Sequence, residues 1–137
     1  MSTMNYLQIY GGTAAVMLVL DMVWLGFIAK AWYQQGIGHL MAAQPNMAVG
    51  ALFYLIFPLG LVVFAVLPTG DEPGWTKAAL MGALFGFFAY ATYDITNLAT
   101  LRDWPLKLSI IDVAWGSLVS GLAAGTGKAV QLHVGHV

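Results

Sequence analysis

The chain has 137 residues, enough for one domain, and is 60% hydrophobic and only 8% charged, with a net charge of −1. A soluble domain carries roughly 25% charged residues to face water, so an ordinary water-soluble fold is excluded; without a surplus of Lys and Arg, so is a nucleic-acid binder. The absence of cysteine removes disulfides, thiolate metal sites and cysteine nucleophiles.

Crossing about 30 Å of hydrocarbon takes roughly 20 apolar residues in a helix. The first stretch of that kind covers residues 6–28. No Lys or Arg precedes Lys30, so the basic region of a cleavable signal is missing and this segment is expected to stay in the mature protein. A polar connection follows, and its Trp32–Met41 part reads as a short interfacial helix. Pro45 and Asn46 open the second span, residues 48–67, with Asn46 as N-cap. Pro58 lies in its middle, where it should kink the helix and free a carbonyl. Residues 68–74 hold two prolines and two glycines and form a turn. The third span covers residues 75–97. Asp103, Trp104 and Pro105 then read as an N-cap and a helix-initiating proline ahead of the fourth span, residues 105–126. Trp32, Tyr33, Trp75 and Trp104 fall at helix ends, where an aromatic belt belongs. The expected architecture is all-α: a four-helix transmembrane bundle forming one integral-membrane domain over residues 1–137.

Gly82 and Gly86, and separately Ser117, Gly121 and Gly125, repeat every four residues. Such faces let helix backbones approach closely, either inside the bundle or across a dimer. With four spans, the termini share a side with the 68–74 turn, and that side carries Lys77 and Lys128. The other side carries Lys30, Arg102 and Lys107. Three cations against two favours termini outside the cytoplasm.

Three of the six acidic residues lie inside the spans: Asp21, Asp94 and Asp112. An Asp near a helix centre costs on the order of 3 kcal/mol. At about 1.5 Å per residue, all three are displaced from mid-span toward the same membrane face, the one carrying Lys30, His39, Arg102 and Lys107. Tyr54 falls near this level. Tyr90 and Asn97 share the helix face of Asp94, and Tyr93 flanks it. Trp24 and Trp115 each stand three residues after an Asp, giving two Asp-x-x-Trp pieces that read as the trace of an internal repeat. These residues suggest a half-membrane polar pocket open to one face, suited to proton coupling, cation coordination or binding of a polar head group. The alternative is that each Asp bonds a neighbouring Tyr, Trp or Asn and only holds helices together. His39 stands at the mouth of such a pocket or in a solvated loop. His133 and His136 fall in a terminal tail. No phosphate loop, hydrolase triad or zinc spacing is present, and neither a metal site nor a cofactor is expected.

Several pieces, in order, cover nearly the whole chain. They are Asp21-Met-Val-Trp-Leu-Gly26, Gly38-His-Leu40, Phe53-Tyr-Leu55, Phe64-Ala-Val-Leu-Pro68, Tyr90-Ala-Thr-Tyr-Asp-Ile-Thr-Asn-Leu-Ala-Thr-Leu101, Trp104-Pro105 and Asp112-Val-Ala-Trp-Gly116. In these pieces the chain resembles an uncharacterised bacterial membrane family, domain of unknown function 2177. The resemblance implies a four-span protein of the bacterial inner membrane and brings no activity with it.

Three functions are compatible with these features. The first is proton- or cation-coupled transport of a small solute, with a homo-oligomer, at least a dimer, completing the path. The second is lipid handling, as a lipid-modifying enzyme or its accessory subunit. The third is a structural subunit of a larger membrane complex. Membrane lipids are partners in every case. No reaction is named by the residues, so no catalytic role is assigned.

Overall fold

The computed structural model describes residues 1–135. Helix α1 (Thr3–Val23) starts on Ser2, whose hydroxyl accepts from the Asn5 N–H at 3.2 Å, and continues into a wide π-helical turn, Trp24–Ile28. Helix α2 (Lys30–Ile37) and a 3-10 turn (Gly38–Leu40) follow, which is the short helix expected between the first two spans. Helix α3 (Met47–Leu61) is capped by Asn46, as its sequence suggests: the side chain accepts from the Val49 N–H at 3.2 Å. It runs into a second π turn (Val62–Val66) and a 3-10 turn (Leu67–Thr69). Helices α4 (Thr76–Thr100) and α5 (Leu106–Val134) complete the bundle. Four helical segments, Thr3–Ile28, Met47–Thr69, Thr76–Thr100 and Leu106–Val134, are long and apolar enough to cross a bilayer.

Helix α5 is the central post. It packs most extensively on α4, then on α1, and touches α3 and its π turn. Its inward face is built from Gly116, Ser120, Gly121, Ala123, Ala124, Gly125 and Gly127. Small residues allow contact at backbone distance. A Cβ at Gly86 of α4 would overlap the Ser120 hydroxyl and the Gly116 carbonyl, and a Cβ at Gly116 would overlap the ring of Tyr90. Gly121 and Gly125 face Ala79 and Ala83 on the other flank of α4. Both small-residue stripes are therefore used inside the bundle.

Burial is inverted relative to a soluble fold. Leu55, Ile56, Leu59, Phe64, Leu80, Phe88, Ile95 and Ile110 point outward, while Thr13, Asp21, Asp94, Asp112, Ser120 and Lys128 are buried. Lipid solvates the outer side chains and leaves polar groups to find partners within. This is a multi-pass membrane protein.

The two ends of the bundle differ. At the end holding the termini, Ile9, Met17, Leu61, Val66, Val119, Ala123 and Ala124 are wholly buried. Asn5 of α1 reaches the Val134 carbonyl there at 3.5 Å. Helix α5 extends beyond the expected residue 126 because Lys128 is not in a solvated flank. It is 0% exposed, and its ammonium donates to the carbonyls of Thr69 (2.5 Å) and Gly70 (3.3 Å). A cation on the open carbonyls at a helix C-terminus is favourable. His133, expected in a tail, stands exposed in the last turn of α5, and His136 lies outside the described residues.

At the other end, Asp103 does not cap α5. It adopts a left-handed backbone (φ 61°), Pro105 takes the N-cap position, and Trp104 donates to the Ser109 hydroxyl at 2.9 Å. Pro58 lacks the N–H that would serve the Tyr54 carbonyl. The adjoining Leu55 carbonyl accepts from the Tyr10 hydroxyl at 2.7 Å, so the disturbed stretch is tied to α1.

Candidate functional site

Asp21, Asp94 and Asp112 all lie in the half of the bundle away from the termini, 4%, 1% and 9% exposed. Counting from mid-helix at about 1.5 Å per residue, they sit ~8, ~9 and ~12 Å toward that end. Their environments differ sharply.

Asp21 is a clasp. Its Oδ1 accepts from the Trp115 indole and its Oδ2 from the Tyr54 hydroxyl, both at 2.7 Å. One carboxylate thereby joins α1, α3 and α5, and both its oxygens are satisfied. Asp112 accepts at one oxygen from the Tyr33 hydroxyl at 2.5 Å, and Tyr33 in turn accepts from the Trp24 indole at 3.4 Å. The two Asp-x-x-Trp pieces thus exchange partners. Trp115 serves Asp21 directly, while Trp24 serves Asp112 through Tyr33. The two indoles stack face to face between them, 4.4 Å apart and 3° from parallel. The π turn at Trp24 widens the helix where this stack forms.

Asp94 has no such clasp. It is almost fully buried, and its Oδ2 is without a hydrogen-bond partner. It stands in the wall of a cavity of about 400 Å³ together with Asp112, Tyr33, Tyr90, Tyr93 and Trp104. The rest of the lining is apolar: Ile37, Phe53, Phe57, Ala89 and Leu108. The cavity exists because α3 and α4 diverge. Their backbones meet at the π turn Val62–Val66, whereas Met47–Leu61 packs on α1 instead. Phe57 spans part of the gap, with its ring centroid 5.4 Å from Phe85 and 6.0 Å from Tyr90. Phe53 (40% exposed) and Tyr93 (53% exposed) flank the opening, which faces the surroundings of the bundle. Helix α2 closes the end, with Gly36 against Pro105 and Leu108.

The expected residues therefore divide. Tyr90, Tyr93, Asp94 and Asp112 line the cavity. Asp21, Tyr54, Trp24 and Trp115 form the hydrogen-bonded layer behind it. Asn97 lies a turn beyond Asp94, outside the lining, and His39 is exposed on the 3-10 turn, also outside it. Tyr33 and Trp104, expected in the aromatic belt, are turned inward as lining residues. Phe53, Phe57, Ile37, Ala89 and Leu108 carry no sequence signal that separates them from lipid-facing positions. Burial, reinforced by the bond given to Asp112, holds the Tyr33 phenol above its ordinary pKa range, so Tyr33 remains a donor at physiological pH.

The charges are one-sided. Among the described residues, no Lys, Arg or His lines the cavity. Among the described residues the ion pair found is Lys77–Glu72, exposed at the far end, and no group of three or more His, Cys, Asp or Glu side chains gathers in a way that could hold a metal. Such a floor can accept protons, cations or hydrogen-bond donors and repels anions.

No curated protein and no solved structure matches the chain. A family model does match, over residues 6–129. The chain belongs to the family it describes, "Predicted membrane protein (DUF2177)".

Proposed function

We propose that the protein binds an amphiphile drawn sideways from the bilayer, holding its apolar part between α3 and α4 and its polar end at Asp94 and Asp112. This is the lipid-handling reading of the sequence. The observation that carries it is the cavity itself: an apolar cleft of about 400 Å³, flanked by exposed Phe53 and Tyr93, ending in two carboxylates. Ligand sites are commonly apolar hollows with a few convergent polar groups, and 400 Å³ lies within their usual size. Transport through a single chain is less well supported. A solute leaving the carboxylate layer would meet Met17, Leu61, Val119 and Ala123, which are wholly buried. On the positive-inside rule, the carboxylate end, with Lys30, Arg102 and Lys107, faces the cytoplasm of a bacterial inner membrane.

Native mass spectrometry of the detergent-purified protein tests the reading. The wild-type chain should retain a bound amphiphile, and Ala89→Trp, which places an indole in the cleft lining, should lose it while keeping the helical signal of the wild type. Equal retention by both, or none by the wild type, would reject it.

A further inference from the structure

The polar end of the guest can be specified from what the cavity lacks. Two carboxylates share its wall, and no cation among the described residues lines it. Lys107 lines a separate shallow hollow with Trp32, Gln35 and Pro105, and Lys30 and Arg102 line neither. Of the donors that line it, Tyr33 is engaged with Asp112 and the Trp104 indole with Ser109, while the Tyr90 and Tyr93 hydroxyls are neutral donors that bring no positive charge. The cavity has no counter-charge for two crowded acids: Asp94 Oδ2 is buried without a donor, and its carboxyl lies against that of Asp112. A buried polar atom left unpaired is costly, and a buried carboxylate more so. A phosphate or carboxylate head would add a third negative group with no cation to meet it. A head bearing N–H donors and positive charge would supply what is missing.

Resting on the amphiphile reading above, we propose that the guest's head is a primary or secondary amine and that Asp94 receives it. The ammonium hydrogens bond Asp94, its charge is shared with Asp112, and the attached chain follows Phe53 and Phe57 out to the bilayer. Two sources offer this chemistry: a free long-chain amine, and the ethanolamine head of a phospholipid. For the phospholipid, the phosphate would stay at the membrane surface on the side of Lys30, Arg102 and Lys107.

The test uses the full chain in a non-ionic detergent micelle and reads quenching of tryptophan fluorescence, since Trp104 lines the cavity. The probes share one dodecyl tail carrying two bromine atoms and differ in the head: amine, alcohol, trimethylammonium or carboxylate. The amine should bind at least about tenfold tighter than the alcohol, as expected for one charge-assisted hydrogen bond. It should also bind tighter than trimethylammonium, which has charge but no N–H. The carboxylate should bind weakest. That amine preference should vanish in Asp94→Asn and persist in Glu72→Gln, which removes an acid at the far end. Alcohol or trimethylammonium binding as tightly as the amine in the wild type would overturn the proposal, with no variant needed. So would an amine preference unchanged in Asp94→Asn. Failure of every probe to quench the wild-type chain would overturn the amphiphile reading as well, which separates the two failures. Competition then assigns the source. Displacement of the amine probe by ethanolamine phospholipid, and not by its choline counterpart, identifies a phospholipid guest; resistance to both identifies a free amine.

Discussion

At the end of the bundle that holds the termini, three buried polar side chains lean on backbone. Thr13 donates to the Ile9 carbonyl, Thr69 to Val66, and Lys128 to Thr69 and Gly70. At the opposite end they lean on one another: Tyr54 and Trp115 on Asp21, Trp24 on Tyr33, Tyr33 on Asp112. A carbonyl belongs to its helix and cannot leave it, so the first arrangement is fixed once the helices pack. Side chains can change partners, so the second can make room for a guest. The same contrast appears in packing. Glycine brings α4 and α5 together along a seam that reaches Tyr90, while in the carboxylate half large aromatics stand between α3 and α4.

The comparison can be broken most severely at the glycine seam. Gly86→Leu would drive a side chain into Ser120 and the Gly116 carbonyl. It should cost about 3 kcal/mol, read as a loss of helical signal at lower temperature in detergent melts. Lys128→Met removes the cation from two buried carbonyls and should cost about 2 kcal/mol by the same measurement. The sharpest contrast is between two carboxylates. Asp21→Asn keeps the shape but replaces one acceptor with a donor facing a donor, and should lower stability by about 1.5 kcal/mol. Asp94→Asn removes one of two carboxyls that crowd each other and keeps a group able to donate to Asp112, so the empty protein should melt no lower than wild type. If the two substitutions act alike in the melt, the division between clasp and binding group fails.

A smaller loss than at Asp21 is expected at Tyr33→Phe. It deletes one bond to Asp112 and should cost about 1 kcal/mol, with faster hydrogen exchange in α2 as its local sign. Tyr33 also sets a pH dependence. Its folded-state pKa is raised above that of the unfolded chain, so the stability it lends is complete below the ordinary phenol range, near pH ~10. That contribution is lost as pH climbs through the folded value, and it should be missing from Tyr33→Phe in alkaline melts.

The shared depth of Asp21, Asp94 and Asp112 was legible because it needs only helix direction and a fixed rise per residue. Their different fates were not. Which oxygen meets which donor depends on rotation about each helix axis, and the π turns at Trp24–Ile28 and Val62–Val66 reset that rotation without a sequence mark. Tyr33 has the sequence position of an interfacial aromatic because hydropathy places it at a helix end; only the direction of α2 turns it inward. Asp103 matched a capping pattern that its left-handed backbone forbids. The last turns of α5 carry no plain sequence signal, because Lys128 resembles a flanking charge and only the fold sets the carbonyls of Thr69 and Gly70 beside it.

The π turn after Val23 has a consequence for chain length. A helix normally cannot lose a residue, because everything on one side then rotates by about 100°. A π turn already contains one residue more than an α-turn needs. Deleting Gly26, where even an added Cβ would meet no neighbour within 4 Å, would let Trp24–Ile28 relax to an ordinary turn with both flanks in place. Asp21 would keep Tyr54 and Trp115, and α2 would keep its approach to Pro105. The same deletion at Gly12, within regular α1, would turn one flank away from its contacts. Among natural variants of this chain, single-residue gaps should therefore gather at 24–28 and 62–66.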